Sequence, residues 1–170
     1  WATHGQATIE NTHPHADCKN SIVIVHNGII ENYTELKQQL IGHKFASQTD
    51  PEAIAHLMEE SYAGSMVAAM MKTVDKLKGT YAICAMSKDT EEIVVAKRGS
   101  PLVLGIGEDC AMAASDTLAI QGQTDKVIYM EDDQIAALSP AGIRLFSSKG
   151  EQARPEMKTL EQKEDAISKG

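Results

Sequence analysis

The chain has 170 residues, of which 42% are hydrophobic and only 4% aromatic, with a formal net charge of −8 and a pI near 5.2. That length supports one domain with a sizeable core, built on Ile, Val, Leu, Ala and Met rather than on aromatic rings. No block of Lys and Arg forms a stripe and no apolar run approaches the length of a membrane span, which argues against nucleic acid and membrane as partners.

Residues 1–20 are polar, with Gly5, Pro14 and three histidines, and read as a functional loop. Ile22–Val25 reads as a buried strand. It meets Asn27-Gly28, after which Ile30, Tyr33, Leu36 and Leu40 fall on one helical face. A strand feeding a helix through Asn-Gly places a carboxamide and an unshielded backbone N–H together. That pairing suits an oxyanion hole, although Asn-Gly is also the commonest hairpin turn. Asp50-Pro51-Glu52 is a helix start, with Asp50 as N-cap, proline at the first helical position and an acid in the first turn. This helix should run to about Ser61, burying Ile54, Leu57 and Met58. Ser65 caps a further helix with the stripe Met66, Met70, Val74 and Leu77, stopped by Lys78-Gly79.

From there the pattern turns β-rich. Thr80–Met86 and Ile93–Lys97 read as a hairpin, and strands are expected at Leu102–Ile106, Cys110–Ala114, Lys126–Met130, Gln134–Leu138 and Ile143–Phe146. A helical turn near Thr117–Ile120 interrupts them. After Ser147 the chain is charged and weakly periodic, so residues 1–148 read as the domain and 149–170 as a linker or helical tail. Helices early and antiparallel strands late give an α+β class.

Three cysteines, Cys18, Cys84 and Cys110, fit a reduced, cytoplasmic protein, with Cys84 and Cys110 buried in apolar runs. His4, His13, His15, Cys18 and His26 raise the question of zinc. The spacing His13-x-His15-x-x-Cys18 matches no recurring zinc framework, so no metal is expected. A nucleophilic pair of Cys18 with His15 lacks a third, orienting group. Asp50 suits either a helix cap or a substrate ammonium. Gly105-Ile106-Gly107 is too short for a dinucleotide fingerprint.

Several motifs together resemble one family. They are Trp1-Ala2-Thr3-His4-Gly5, Asn11-Thr12-His13-Pro14-His15, Val25-His26-Asn27-Gly28-Ile29-Ile30-Glu31-Asn32-Tyr33, Thr49-Asp50-Pro51-Glu52-Ala53-Ile54-Ala55-His56, Gly99-Ser100-Pro101-Leu102-Val103 and Ala114-Ser115-Asp116. In order, they resemble the glutaminase domain of the glucosamine-6-phosphate synthase family, among amidotransferases with an N-terminal nucleophile. The resemblance implies a four-layer αββα sandwich. It also implies release of ammonia from L-glutamine, for conversion of fructose 6-phosphate to glucosamine 6-phosphate in sugar-isomerase domains further along a homodimeric enzyme. No cofactor is implied. Asn27 and Gly28 would form the oxyanion hole and Asp50 would hold the glutamine α-ammonium. Thr3 and His4 would lie in the glutamine pocket, with Trp1 at the mouth of the ammonia channel. In the family the nucleophile is an N-terminal cysteine, and an arginine for the glutamine carboxylate precedes the tryptophan. Neither has a counterpart here, and Pro51 stands where Thr or Ser is usual. The expectation is therefore a domain incomplete at its N-terminus and inactive alone. The alternative is a stand-alone, non-catalytic domain that binds glutamine or a partner on the same scaffold. An opening in mid-motif favours the first.

Overall fold

The structure, a computed structural model, describes residues 8–160; expectations for Trp1, Thr3 and His4 lie outside them. After a 3-10 turn at Ile9–Asn11 come strands β1 (His15–Ala16) and β2 (Ile22–Ile30). Helices α1 (Tyr33–Gln39), α2 (Asp50–Ser61) and α3 (Met66–Val74) follow. The β-rich half supplies β3 (Gly79–Ser87), β4 (Ile93–Arg98), β5 (Val103–Ile106), β6 (Ala111–Ala114), β7 (Lys126–Tyr129), β8 (Gln134–Ser139) and β9 (Gly142–Ser147), then the short β10 (Gln152–Ala153) and β11 (Lys158–Thr159).

The strands form two antiparallel sheets. The larger runs β1-β2-β3-β4-β8-β9-β10 and the smaller β11-β7-β5-β6. The helices cover the outer face of the larger sheet, where Ile22, Ile24, Ile83 and Ile135 meet Ile54, Met58, Met66 and Met70. Its inner face meets the smaller sheet through Val95, Ala136 and Leu138 against Leu104 and Ile128. A sheet buried on both faces explains why Val94, Val95 and Ala96 are all covered in succession. On the far face of the smaller sheet, Ile120, beside the 3-10 turn Thr117–Ala119, packs with Val103 and Val127. Among the described residues the layers are thus helix, sheet and sheet.

Two expectations about chain order change. Residues past 148 continue the fold, since β10 pairs with β9 and β11 with β7; the short, polar segments add only two residues to each sheet edge, too little to leave a periodic signal. The first helix begins at Tyr33 rather than Ile30, because β2 does not stop at Val25. Ile22, Ile24, His26 and Ile30 all point into the core on a strand period, and β2 pairs with β3 from Ile22↔Ser87 to Ile30↔Gly79. α3 ends at Val74, with Asp75 as C-cap, short of the expected Lys78-Gly79 stop, although Leu77 is still buried. Asp50–Ser61 is helical as the Asp-Pro-Glu start indicates, and Ser65 Oγ accepts the Ala68 N–H at 3.3 Å to open α3.

Candidate active site

The extension of β2 relocates the Asn27-Gly28 pair. Both residues lie within the strand, opposite Ala82 and Tyr81 of β3, instead of in a connecting turn. Gly28 has φ of +136°, and a Cβ there would sit 2.2 Å from the Thr80 carbonyl oxygen. Only glycine lets the two strands approach so closely. Asn27 is exposed on the strand face turned away from the helices. It lines a cleft of about 240 Å³ between the sheets, with Val25, Cys84, Leu102, Ala114 and Ser115. The walls are largely apolar, and the Asn27 carboxamide is a polar group at their edge.

Asp50 stands at the other end of this strand segment. It was expected to cap α2, yet the helix starts at Asp50 itself, and the capping position Thr49 makes no side-chain cap bond. The Asp50 carboxylate turns instead to β2, and Oδ2 accepts the Ile30 N–H at 2.9 Å. The group is 3% exposed.

Imidazoles gather around this carboxylate. Burial pulls the His13, His15 and His26 rings below the usual histidine range, while the Asp50 charge pulls each of them back up. His15 Nε2 lies 3.2 Å from Thr49 Oγ1, which in turn lies 3.1 Å from Ser47 Oγ. His13 and His15 pack edge to face, with ring centroids 5.2 Å apart. These histidines are electrostatic neighbours of Asp50. Sequence spacing did not reveal the arrangement, because β1 and the start of α2 meet only through the fold.

The thiols divide differently from expectation. Cys84 is partly buried, and burial pushes its thiol upward, away from a nucleophilic thiolate. Cys110 is exposed, not buried, because it precedes β6 at the end of the turn that returns from β5. Cys18, also exposed, does not pair with His15. Its Sγ lies 3.4 Å from His43 Nδ1 and 3.6 Å from His56 Nδ1.

Comparison with known proteins shows the family. Residues 6–122 match the glutamine amidotransferase domain family. The chain is similar to the glutamine–fructose-6-phosphate aminotransferase (isomerizing) of Thermotoga maritima, 43% identical over 173 residues that cover 100% of this chain and 28% of that protein. It is similar to the Aquifex aeolicus protein of the same name at 45% identity over 160 residues, covering 92% of this chain and 27% of that one. The chain thus spans little more than a quarter of the length of these relatives. Among solved structures, the glutamine phosphoribosylpyrophosphate amidotransferase of B. subtilis, complexed with ADP and GMP, superposes with a TM-score of 0.72. That match is at 28% identity and covers 85% of this chain and 33% of that one.

Proposed function

This chain belongs to the glutamine amidotransferase domain family, and we propose that it is the glutaminase part of a glucosamine-6-phosphate synthase, releasing ammonia from L-glutamine for the conversion of fructose 6-phosphate to glucosamine 6-phosphate. Its fold is the α+β sandwich of N-terminal-nucleophile hydrolases, in agreement with the solved amidotransferase structure it resembles. No helix among the described residues is long and apolar enough to cross a membrane; on the proposed reading the enzyme works in the cytoplasm, as a homodimer.

The observation that supports this reading is the placement of Asn27 at an apolar cleft, next to Gly28 on β2, with the buried Asp50 bonded to the same strand at Ile30. Attack on the glutamine carboxamide turns its carbonyl oxygen into an oxyanion. The Asn27 side-chain N–H and the Gly28 backbone N–H are the donors assigned to that charge. Asp50 is assigned the α-ammonium of the substrate: an ionised carboxylate held by a backbone N–H is a pre-positioned partner for a cation. Thr3 and His4 are assigned to the same glutamine pocket, and Trp1 to the mouth of the ammonia path. The cleft thiol Cys84 has no part in attack, since its environment favours the protonated form. Calorimetric titration with L-glutamine and with D-glutamine tests the assignment. Binding confined to the L-isomer is expected, and equal binding of both isomers, or of neither, would contradict it.

A further inference from the structure

The geometry points to a structural zinc site formed by Cys18, His43, His56 and Glu59, remote in sequence and brought together beside α2. Cys18 lies in the turn between β1 and β2, His43 in the loop between α1 and α2, and His56 and Glu59 one turn apart on α2. One donor atom from each lies within 4.8 Å of the other three. Cys18 Sγ is 3.4 Å from His43 Nδ1 and 3.6 Å from His56 Nδ1. Glu59 Oε2 is 3.2 Å from His43 Nδ1 and 3.5 Å from His56 Nδ1. Bonds of about 2.0–2.3 Å to a tetrahedral zinc ion put its ligands about 3.3–3.6 Å from one another. The four separations are those of a coordination shell.

The outer partners point the same way. Each imidazole turns Nδ1 toward the shared centre and Nε2 toward a carboxylate. His43 Nε2 lies 3.5 Å from Glu60 Oε1, and His56 Nε2 lies 3.7 Å from Glu52 Oε1. With a metal ion on Nδ1, a small approach of each ring would complete the carboxylate–histidine–metal arrangement, in which the outer carboxylate holds the ring's proton on the nitrogen that faces away from the ion. His56 is 0% exposed, and its Nε2 has no hydrogen-bond partner among the described residues. Metal on Nδ1 fixes the proton on Nε2 and aims it at Glu52, itself fixed by the N–H groups of Ala46 and Ser47 at 2.6 Å each.

Charge supports a divalent cation. Glu52, Glu59 and Glu60 surround two imidazoles, and the nearest lysines, Lys19 and Lys76, reach them only at 3.9 Å. A thiolate and one carboxylate together neutralise a 2+ ion, and a sulfur–nitrogen–oxygen set with four protein ligands is the closed shell of a structural site. The ion ties the β1–β2 turn and the loop after α1 to α2, the helix whose first residue is Asp50.

The test uses the whole chain, stripped with chelator and titrated with Zn²⁺ alone and with Co²⁺ alone. One ion per chain is expected, with a near-ultraviolet thiolate-to-cobalt band and the intense visible absorption of tetrahedral cobalt. Zinc should raise the thermal midpoint and slow alkylation of Cys18 by iodoacetamide. Cys18→Ser should abolish the thiolate band, and Glu59→Gln, which keeps the side-chain shape, should weaken zinc binding without unfolding the protein. Glu60→Gln should cost roughly 10–100-fold in affinity, as loss of an outer partner does. The inference is overturned if neither ion binds stoichiometrically, if the cobalt spectrum lacks the thiolate band or keeps it in Cys18→Ser, or if Cys18 alkylates equally fast with zinc present. None of these readouts depends on glutamine.

Discussion

Asp50 Oδ2 accepts the Ile30 backbone N–H at 2.9 Å, joining the first residue of α2 to the last residue of β2. This bond fixes the position of the carboxylate relative to Asn27 and Gly28, three and two residues before Ile30 on the same strand. An Asn at position 50 retains an oxygen that accepts the same N–H but loses the charge. Asp50→Asn should therefore leave the thermal midpoint within a few degrees of the parent while lowering affinity for L-glutamine at least about tenfold, in line with the strength of charge-assisted bonds. Calorimetry and a melting curve on the same sample separate the two effects. A sharply lower midpoint with unchanged affinity would make Asp50 a structural residue only.

Gly28→Ala should be among the most damaging single substitutions in the chain. The new Cβ meets the Thr80 carbonyl oxygen at 2.2 Å and Tyr81 Cα at 2.9 Å, at a φ of +136° that side chains rarely adopt. Backbone atoms of a central strand have nowhere to move. A loss of at least about 2 kcal/mol is expected, in the upper part of the range for point substitutions. Denaturant unfolding measures it, and Gly42→Ala, where a Cβ meets nothing within 4 Å, is the control for positive φ without the clash.

His26 should make the fold acid-sensitive. The ring is 7% exposed and its Nε2 has no partner among the described residues. Burial lowers its pKa, against the pull of Asp50 and the Thr80 backbone in the opposite direction, while His13 and His15 lower it further. A histidine with a lowered pKa in the folded state contributes stability at pH above its unfolded value near 6.5, and that stability is lost as the pH falls through the folded value. The thermal midpoint should thus decline below pH 6.5, and His26→Gln should flatten that part of the curve. Parallel curves for the two proteins would show that another group sets the acid limit.

Much of the fold was legible in the residues themselves. The Asp-Pro-Glu start, the Ser65 cap, the methionine stripe of α3 and the positions along the chain of the strands from β3 to β9 all follow local chemistry that the chain carries within a few residues. The failures are non-local. Val25-His26-Asn27-Gly28 reads as a strand ending in a turn, but the partner strand β3 keeps β2 going to Ile30 and needs glycine at 28 for close approach. Asp50 reads as a cap because its neighbours spell one, and its real partner lies 20 residues away. The Cys18, His43, His56 and Glu59 group was hidden for the same reason. Only His56-x-x-Glu59 is a local signal, and it is weaker than the closely spaced His13, His15 and Cys18.

Asn27, on β2, is proposed as an oxyanion donor for glutamine hydrolysis. The most direct test is the rate of ammonia release from L-glutamine by the protein that carries this domain, compared between the parent and Asn27→Ala. Removing one oxyanion donor should cut kcat by about 10²–10³-fold with little change in KM, because the bond is made in the transition state and not to the ground-state carboxamide. A variant that keeps the parental kcat, or one whose loss lies wholly in KM, would contradict the assignment.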